Sequence, residues 1–373
     1  MMPGVRRLSE RLSRSPVVRA WLLSRVVVLA ALLTARLIPG HRNASLLAWD
    51  ASWYDTIAVH GYAASPAGAV RFFPALPLLA RWSATVLTLS PARSWAVGGM
   101  LIVIANAAAL LYLALARRVA LQAGLGARAA DLVPAAVAFA PAGFVLVMGY
   151  TEPLFGVLLC VVLLGARGGR WLPCALAGLA AGALRPTGVL LCLPVAIEAC
   201  RGLRQVTLGG LTARLAAAGA PAAGLALYLG WAWQAYGDPL APFRAQTVAG
   251  LRGGLVVDPL ATLVAAGRTL VAGHPGTVLI RVVWIGVALA LLVVSARRLP
   301  ASFTAFAAAT LFLAVTAATF SSFERYAGSA LPLLLAAAAV LADRPRLRLA
   351  AAIGAPLVLF GQSLLSFAWT YVP

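Results

Sequence analysis

Long apolar runs alternate with short polar stretches along the whole chain. A helix needs about 20 apolar residues to cross a bilayer, so these runs predict transmembrane helices. Four runs between residues 132 and 200 are shorter, and about 14 residues cover only about 21 Å at 1.5 Å per residue. These four predict tilted pairs or helices that break inside the membrane. The predicted spans, about eleven in all, are 17–38, 96–116, 132–149, 153–166, 171–184, 187–200, 211–233, 277–295, 301–320, 327–342 and 349–368.

The amino-acid composition agrees with a membrane protein. Of 373 residues, 62% are hydrophobic and 11% are charged, and the mean hydropathy is +0.93. A soluble domain of this size does not reach such values, and no polar stretch is long enough to bury a core of its own. We therefore predict an all-α polytopic membrane protein with a single integral membrane domain over residues 1–373. The first run follows basic residues as in a signal peptide, but its length predicts an uncleaved span.

The distribution of arginine predicts the orientation of the spans. All 30 basic residues are arginine, and the formal net charge is +20. Most of them lie at the ends of apolar runs, where they meet anionic membrane lipids, so we expect no nucleic-acid partner. We predict a multi-pass protein of the cytoplasmic (inner) membrane with a cytoplasmic N-terminus. The arginines then on the cytoplasmic side are Arg117, Arg118, Arg167, Arg170, Arg201, Arg204, Arg214, Arg297, Arg298, Arg344, Arg346 and Arg348.

In this orientation the acidic residues gather on the opposite, outer side. Two long outer segments result, 39–95 and 234–276, and the second is long enough to favour a functional role, although it could simply connect helices. Ionisable groups at the membrane are costly, and where they converge they usually line a pathway or a reaction site. We therefore predict a site on the outer face. The acidic residues predicted there are Asp50, Asp55, Glu152, Asp238, Asp258 and Glu324.

The first outer loop combines carboxylates with large aromatic residues. If residues 48–59 are helical, Trp49 and Trp53 share one face and Asp50 and Tyr54 share another. Such a helix would lie flat in the interface, with Asp50 pointing away from lipid. Asp55 would lie about 140° around the helix from Asp50, so the two carboxylates are not expected to act as a pair. The alternative is an ordinary aromatic belt with solvated carboxylates.

The same loop carries a sequence motif. Residues 49–62 have the pattern Trp-Asp-x-x-Trp-Tyr-x-x-Ile-Ala-x-x-Gly-Tyr, and residues 72–77 follow with Phe-Phe-Pro-x-x-Pro. This pattern resembles the signature of the PIG-V family of mannosyltransferases. Shorter fragments at 150–155 and 185–188 resemble the family's Tyr-Ser-Glu-x-Leu-Phe and Arg-Ser-Asn-Gly, and the second fragment departs from it at its two middle positions. The resemblance covers residues 49–188, while the C-terminal half matches only in its hydropathy and in a basic residue at the last outer turn.

The resemblance implies a GT-C type glycosyltransferase, a bundle of transmembrane helices that takes a sugar from a polyprenyl-phosphate donor at the non-cytoplasmic face. The family's catalytic acidic residue in the first outer loop carries over to Asp50. Mannose as the sugar rests on the resemblance alone, and glucose or arabinose stays open. The acceptor stays open as well, as a glycolipid, a glycan or a protein of the cell envelope.

Sugar transfer from a lipid phosphate needs a base for the acceptor hydroxyl and positive charge for the leaving phosphate. Asp50 suits the first role, and arginine suits the second because it binds phosphate oxygens bidentately without losing its proton. The outer arginines that we consider are Arg71, Arg185, Arg244 and Arg325, of which Arg185 could instead only neutralise Glu152. The predicted substrate-binding residues are Trp49, Trp53, Tyr54, Asp55, Arg71, Glu152, Arg185 and Arg325.

No group of His, Cys, Asp and Glu in the sequence has metal-site spacing, so we expect no tightly bound metal or cofactor, and a weak divalent-metal requirement stays open. A competing hypothesis is a transporter or flippase of a lipid-linked sugar, because broken helices also occur in substrate-translocating bundles. Such a protein should show inverted repeats and polar groups on both faces. The sequence shows no such repeat, and its acidic groups favour one face.

Overall fold

The computed structural model describes residues 15–42, 44–88, 94–247, 257–272, 276–317, 320 and 322–368. The basic N-terminal residues and part of segment 234–276 lie outside these ranges. Within them, every regular element is helical, which confirms the all-α prediction. The α-helices are α1 (Pro16–Leu37), α2 (Asp50–His60), α3 (Ala75–Thr88), α4 (Ser94–Gln122), α5 (Ala127–Ala138), α6 (Glu152–Arg167), α7 (Trp171–Leu184), α8 (Cys192–Ala199), α9 (Leu208–Tyr236), α10 (Ala241–Arg244), α11 (Pro259–Val271), α12 (Gly276–Arg298), α13 (Ala301–Val315), α14 (Phe323–Ser329), α15 (Leu331–Asp343) and α16 (Pro345–Phe367).

The long helices confirm a multi-pass membrane protein. Among the described residues, 5 helices are long and apolar enough to cross a bilayer, namely α1, α4, α9, α12 and α16. A bent pair, α14 and α15, would make a sixth. Large apolar side chains such as Leu33, Leu227 and Val293 lie exposed on these helices, as expected for surfaces that face lipid. Other predicted runs form shorter apolar helices, including α7 and α13.

The predicted span 132–149 is not a continuous helix. Helix α5 ends at Ala138, and a 3₁₀ turn follows at Gly143–Leu146. Pro141, between them, has no amide hydrogen to continue the helix. At Gly143 an added Cβ would lie 2.5 Å from the Ala138 carbonyl oxygen, so the close turn requires glycine there. The break delivers the chain to residues 150–152 inside the bundle rather than at its surface.

Polar side chains of other helices bind the backbone that this break exposes. Arg25 of α1 donates from Nη2 to the Leu146 carbonyl at 2.8 Å, and from Nε to the Asn106 side chain at 3.0 Å. Asn106 of α4 donates from Nδ2 to the Val147 carbonyl at 2.9 Å. Unpaired backbone groups are costly away from water, so these two buried or half-buried side chains make the broken backbone tolerable.

Two further predicted spans are broken. The run 187–200 begins with a 3₁₀ helix, Pro186–Leu191, and continues as α8. Gly188 permits this approach, because a Cβ there would lie 2.1 Å from the Ala181 carbonyl oxygen of α7. The run 327–342 lies on α14 and α15, which are bent by 78° relative to each other. Each break lies toward the end of the bundle at which α2 begins.

Helices α7 and α9 pack through glycine. A Cβ added to Gly182 would lie 1.9 Å from the Pro221 carbonyl oxygen, and one added to Gly224 would lie 2.0 Å from the Leu179 carbonyl oxygen. Small residues allow this close backbone approach, which is typical of helix pairs in membranes. The contact brings the C-terminal end of α9 beside the loop between α2 and α3.

A polar cluster lies where α6 ends, at the end of the bundle opposite to the helix breaks. Glu198 is 6% exposed, and it accepts hydrogen bonds from Arg167 at 3.1 Å and Arg201 at 2.9 Å. The Ser302 hydroxyl also donates to it, at 2.5 Å. Every oxygen of this buried carboxylate therefore has a partner, as a structural ion pair requires. The cluster ties α6, α8 and α13 together.

Candidate functional site

Helix α2 begins at Asp50, and the chain enters it through a strained residue. Trp49 has φ 57° and ψ −127°, a conformation that costs a non-glycine residue of order 1–3 kcal/mol. Its indole Nε1 donates to the Ser366 carbonyl of α16 at 3.0 Å. The Asp50 amide donates to the Tyr150 hydroxyl at 3.2 Å. Two distant parts of the chain therefore fix the direction in which the Asp50 side chain points.

A row of alternating charges starts at this carboxylate. Asp50 Oδ2 lies 2.5 Å from Arg325 Nη1, and Arg325 Nε lies 3.5 Å from Glu152 Oε1. The same Glu152 oxygen lies 3.1 Å from Arg185 Nη1. We call these four residues the ion-pair chain. It joins the first loop, the middle of the sequence and the C-terminal half in one site.

Asp50 is the most accessible member of the ion-pair chain. Its side chain is 29% exposed, against 13% for Arg325, while Arg185 and Glu152 are 10% and 6% exposed. Buried charges must be paired or bound by hydrogen bonds to be tolerated, and here each charge has a partner of opposite sign. The chain is therefore buried at its Arg185 end and open at its Asp50 end.

Each member lies where a helix begins or ends. Asp50 and Glu152 are the first residues of α2 and α6, where the positive end of the helix dipole favours a carboxylate. Arg325 lies in the first turn of α14. Arg185 follows the end of α7 in an extended conformation and precedes a 3₁₀ helix. The broken helices are thus what bring these charges together inside an apolar bundle.

Aromatic rings line the region beside Asp50. The rings of Trp53 and Phe72 stack with their centroids 5.5 Å apart, and the guanidinium of Arg71 lies 4.9 Å from the centroid of each ring. Burial lowers the pKa of Arg71, and the nearby negative charge of Asp50 opposes this shift. The Tyr54 ring packs edge-on against Phe72 at 5.3 Å.

The Tyr54 hydroxyl lies deeper, between the two carboxylates. It is 3.4 Å from the Thr151 hydroxyl, and either group can donate. Burial raises the pKa of Tyr54, and the negative charges of Asp50 and Glu152 raise it further. This phenol therefore keeps its proton and can donate a hydrogen bond at the site.

The structure brings together most of the predicted site residues. Asp50, Tyr54, Glu152, Arg185 and Arg325 share one cluster, and Arg71 and Trp53 adjoin it. Trp49, Asp55 and Arg244 lie elsewhere.

Trp49 is directed toward the end of α16 rather than into the ion-pair chain, since its indole binds the Ser366 carbonyl. Asp55 faces α4, where a Cβ on Gly98 would lie 3.4 Å from Asp55 Oδ1. That oxygen is buried and has no hydrogen-bond partner, and burial raises the pKa of Asp55. The expectation that Asp50 and Asp55 do not form a pair agrees with this placement.

Arg244, the remaining arginine that the sequence raised, pairs with Asp238 at 3.2 Å with its side chain 70% exposed. An exposed pair of this kind contributes little to stability. It lies in the segment that follows α9, outside the ion-pair chain. The sequence-based roles of Trp49 and Asp55 in substrate binding stay predictions.

Sequence reasoning missed several residues that build the site. Tyr150 binds the Asp50 amide, and its ring lies 5.7 Å from the Arg325 guanidinium. Tyr150 is the first residue of the fragment 150–155 that resembles the family signature, and this position could have marked it as a site residue. Tyr228 contacts the Arg71 loop from the middle of an apolar helix, and no sequence pattern marked it.

A small cavity lies behind Glu152 and Arg325. Its volume is about 20 Å³, and Tyr112 also lines it. The Tyr112 hydroxyl and Glu152 Oε2 are buried without a hydrogen-bond partner, and the volume suffices for about one water. In the part of the chain that the structure describes, no group of three or more His, Cys, Asp or Glu side chains could hold a metal ion.

Comparison with known proteins adds a structural likeness. No protein-family model matches the chain, and no curated protein matches it. Among solved structures, it is similar to the Archaeoglobus fulgidus oligosaccharyltransferase in complex with zinc and sulfate, with a TM-score of 0.49 and 14% sequence identity. The match covers 94% of this chain and 53% of that chain, so this chain spans about half the length of the oligosaccharyltransferase.

Proposed function

We propose that this protein is a GT-C type membrane glycosyltransferase that moves mannose from polyprenyl-phosphate-mannose to an acceptor of the cell envelope, at the outer face of the cytoplasmic membrane. The observation that carries the proposal is the position of Asp50. Its carboxylate is the accessible end of an otherwise buried ion-pair chain, and it lies beside aromatic rings and arginines. A purely structural ion-pair network would not need an open end at a carboxylate.

The reaction is a displacement at the anomeric carbon of the donor. The acceptor hydroxyl attacks that carbon, and its proton passes to Asp50. The bond from the anomeric carbon to the phosphate oxygen breaks, and polyprenyl phosphate leaves with the electron pair. Asp50 Oδ2 is held by Arg325, so Oδ1 is the oxygen that receives the proton. A general base in this position contributes roughly 100- to 10,000-fold to the rate.

The other residues of the site bind and orient the substrates. Arg325 holds the Asp50 carboxylate and Arg185 pairs with Glu152, in a buried environment where such charge interactions are stronger than in water. Glu152 holds both arginines in position through one oxygen. Trp53 and Tyr54 form an aromatic wall with polar edges beside Asp50. The donor's isoprenyl chain is expected to lie among membrane lipids, and the acceptor is a glycolipid, a glycan or a protein.

The test is sugar transfer in reconstituted vesicles. Labelled polyprenyl-phosphate-mannose is supplied with a host lipid extract, and wild type is compared with Asp50→Asn. The matched control is Asp131→Asn, because Asp131 is an exposed carboxylate paired with Arg117 that lies on α5, outside the site. We expect Asp50→Asn to lose transfer while Asp131→Asn retains it. Equal transfer by both variants would remove Asp50 as the base.

A flippase or transporter of a lipid-linked sugar is the second candidate, and the broken helices favour it. The chain breaks near Gly143–Leu146 and Pro186–Leu191, and it bends by 78° between α14 and α15. Discontinuous helices often surround a translocated substrate. A vesicle assay separates the two activities, because a flippase moves the intact lipid-linked sugar across the bilayer, whereas a transferase releases polyprenyl phosphate.

A further inference from the structure

Arg71 is the last residue of a 3₁₀ helix, Ala67–Arg71, in the connection between α2 and α3, and the backbone on both sides of it is fixed. The Tyr228 hydroxyl of α9 donates to the Val70 carbonyl at 2.7 Å. The Tyr62 hydroxyl, just after α2, donates to the Phe72 carbonyl at 2.5 Å. The two carbonyls belong to the residues on either side of Arg71, so the two phenols hold the backbone before and after it.

The side chain of Arg71 is fixed as well. Its guanidinium lies 4.9 Å from the ring centroids of both Trp53 and Phe72. A cation over an aromatic face is attracted to the electrons of the ring, more strongly where water is excluded. Such contacts do not use the N–H groups of the guanidinium as hydrogen-bond donors. The stack therefore orients the donors of Arg71 without occupying them.

Among the residues that the structure describes, Arg71 differs from the other arginines of the site in having no acidic partner. Arg325 pairs with Asp50 and Glu152, and Arg185 pairs with Glu152. In the described ranges Arg71 makes no ion pair, although it is close enough to Asp50 for that charge to act on it. The ion-pair chain holds two carboxylates and two guanidinium groups, so its formal charges cancel. Arg71 then adds one positive charge beside it.

We propose that Arg71 is the residue that binds the phosphate of the lipid-linked donor, and that Tyr62 and Tyr228 are positioning residues that hold it. This inference rests on the proposed function for the nature of the donor. The phosphodiester of a polyprenyl-phosphate sugar carries a single negative charge, which the free positive charge of Arg71 matches. A guanidinium edge donates two parallel hydrogen bonds to phosphate oxygens. Arg325 and Arg185, by contrast, would have to leave a buried carboxylate first.

The first measurement is binding of a labelled C20 isoprenyl phosphate to the purified full-length protein in nanodiscs, with the matching C20 isoprenol as the uncharged reference. We expect wild type to bind the phosphate more tightly than the alcohol. Arg71→Gln should weaken phosphate binding roughly ten- to hundredfold, as expected for the loss of a charge-assisted hydrogen-bond pair. Arg42→Gln is the matched control, because Arg42 is an exposed arginine of the same loop region.

The second measurement tests the positioning role. Tyr228→Phe keeps the ring, which packs on Phe73 at 4.0 Å, and removes the hydroxyl that binds the Val70 carbonyl. We expect it to weaken phosphate binding by roughly three- to tenfold. In the Arg71→Gln background the same change should have no further effect, since coupled residues are not additive. Tyr236→Phe is the control, because that ring contacts only Trp231 among the described aromatic residues.

Three results would overturn the inference. The first is equal binding of the isoprenyl phosphate and the isoprenol by wild type, and the second is unchanged phosphate binding by Arg71→Gln. The third, an equal effect of Tyr228→Phe with and without Arg71, would show that Tyr228 is only structural. Sugar transfer is measured on the same samples. Phosphate binding that depends on Arg71, without transfer by wild type, would reject the proposed function and keep the phosphate site.

Discussion

Arg325 donates a hydrogen bond to Asp50 across 275 positions of the sequence, with 2.5 Å between Nη1 and Oδ2. This contact joins the motif-bearing first loop to the C-terminal half, in which the sequence offered little beyond hydropathy. Arg325 reaches Asp50 because α14 is short and bends by 78° into α15. A straight helix through this region would carry Arg325 away from the loop. The site therefore depends on a helix break near the C-terminus as much as on the motif.

Glu152 is predicted to matter more for stability than either arginine that it binds. One of its oxygens contacts both Arg185 and Arg325, so Glu152→Gln leaves the buried Arg185 facing a neutral amide and leaves Arg325 with Asp50 alone. Loss of one partner from a buried ion pair costs about 3–5 kcal/mol. Arg185→Gln should cost less, because Glu152 keeps Arg325. Thermal unfolding in detergent measures both variants, and a larger loss for Arg185→Gln would contradict this ranking.

Periodicity and charge predicted much of this fold and part of the site. The helix expected at 48–59 is observed at Asp50–His60, and the arginine at the last outer turn is a member of the site. The sequence could not show which faces of the apolar helices meet, because an all-apolar run has no distinct polar face. Tyr228 and Asn106 were missed for this reason, as each lies inside such a run. A break inside the membrane was one alternative for the run 132–149, but its position was not predicted, because Pro141 and Gly143 lie within one apolar run.

Arg25 is predicted to hold the segment that leads to Tyr150 and Glu152. It is 8% exposed and donates to the Leu146 carbonyl at 2.8 Å. Arg25→Leu removes this donor and leaves a buried carbonyl unpaired, at a cost of about 1–3 kcal/mol. The segment that Arg25 holds leads to Tyr150, which binds the Asp50 amide. Sugar transfer should therefore fall by more than the loss of folded protein alone explains.

The matched control for Arg25→Leu is Arg36→Leu on the same helix. Arg36 is exposed and donates to the Ala44 carbonyl at 2.8 Å, so water can replace it there. Unfolding temperature and transfer rate are measured for both variants in the same detergent. Equal losses in the two variants would show that Arg25 has no special role in the segment.

The orientation in the membrane can be tested with a cysteine that the chain already carries. Cys160 and Cys174 are buried, whereas Cys200 is exposed next to Arg201. The proposed orientation places Cys200 on the cytoplasmic side. A membrane-impermeant maleimide should therefore label it in inside-out vesicles and not in intact cells, with Cys200→Ser as the unlabelled control. Labelling from outside the cell would reverse the orientation and move the proposed site to the cytoplasmic face.

Asp55 should make the protein less stable as the pH rises. Burial raises the pKa of Asp55 above its ordinary value, so the folded state holds this proton more tightly than the unfolded state does. The penalty for the charged carboxylate is absent below the unfolded pKa and appears as the pH rises through the folded pKa. Asp55→Asn removes this titration and should gain stability relative to wild type at neutral pH, with the gain vanishing in acid. The measurement is the unfolding temperature of both proteins from pH 4 to pH 8. If wild type instead loses stability relative to Asp55→Asn as the pH falls, Asp55 is stabilised as a carboxylate, and the charge of His60, which opposes the effect of burial on the pKa of Asp55, outweighs that burial.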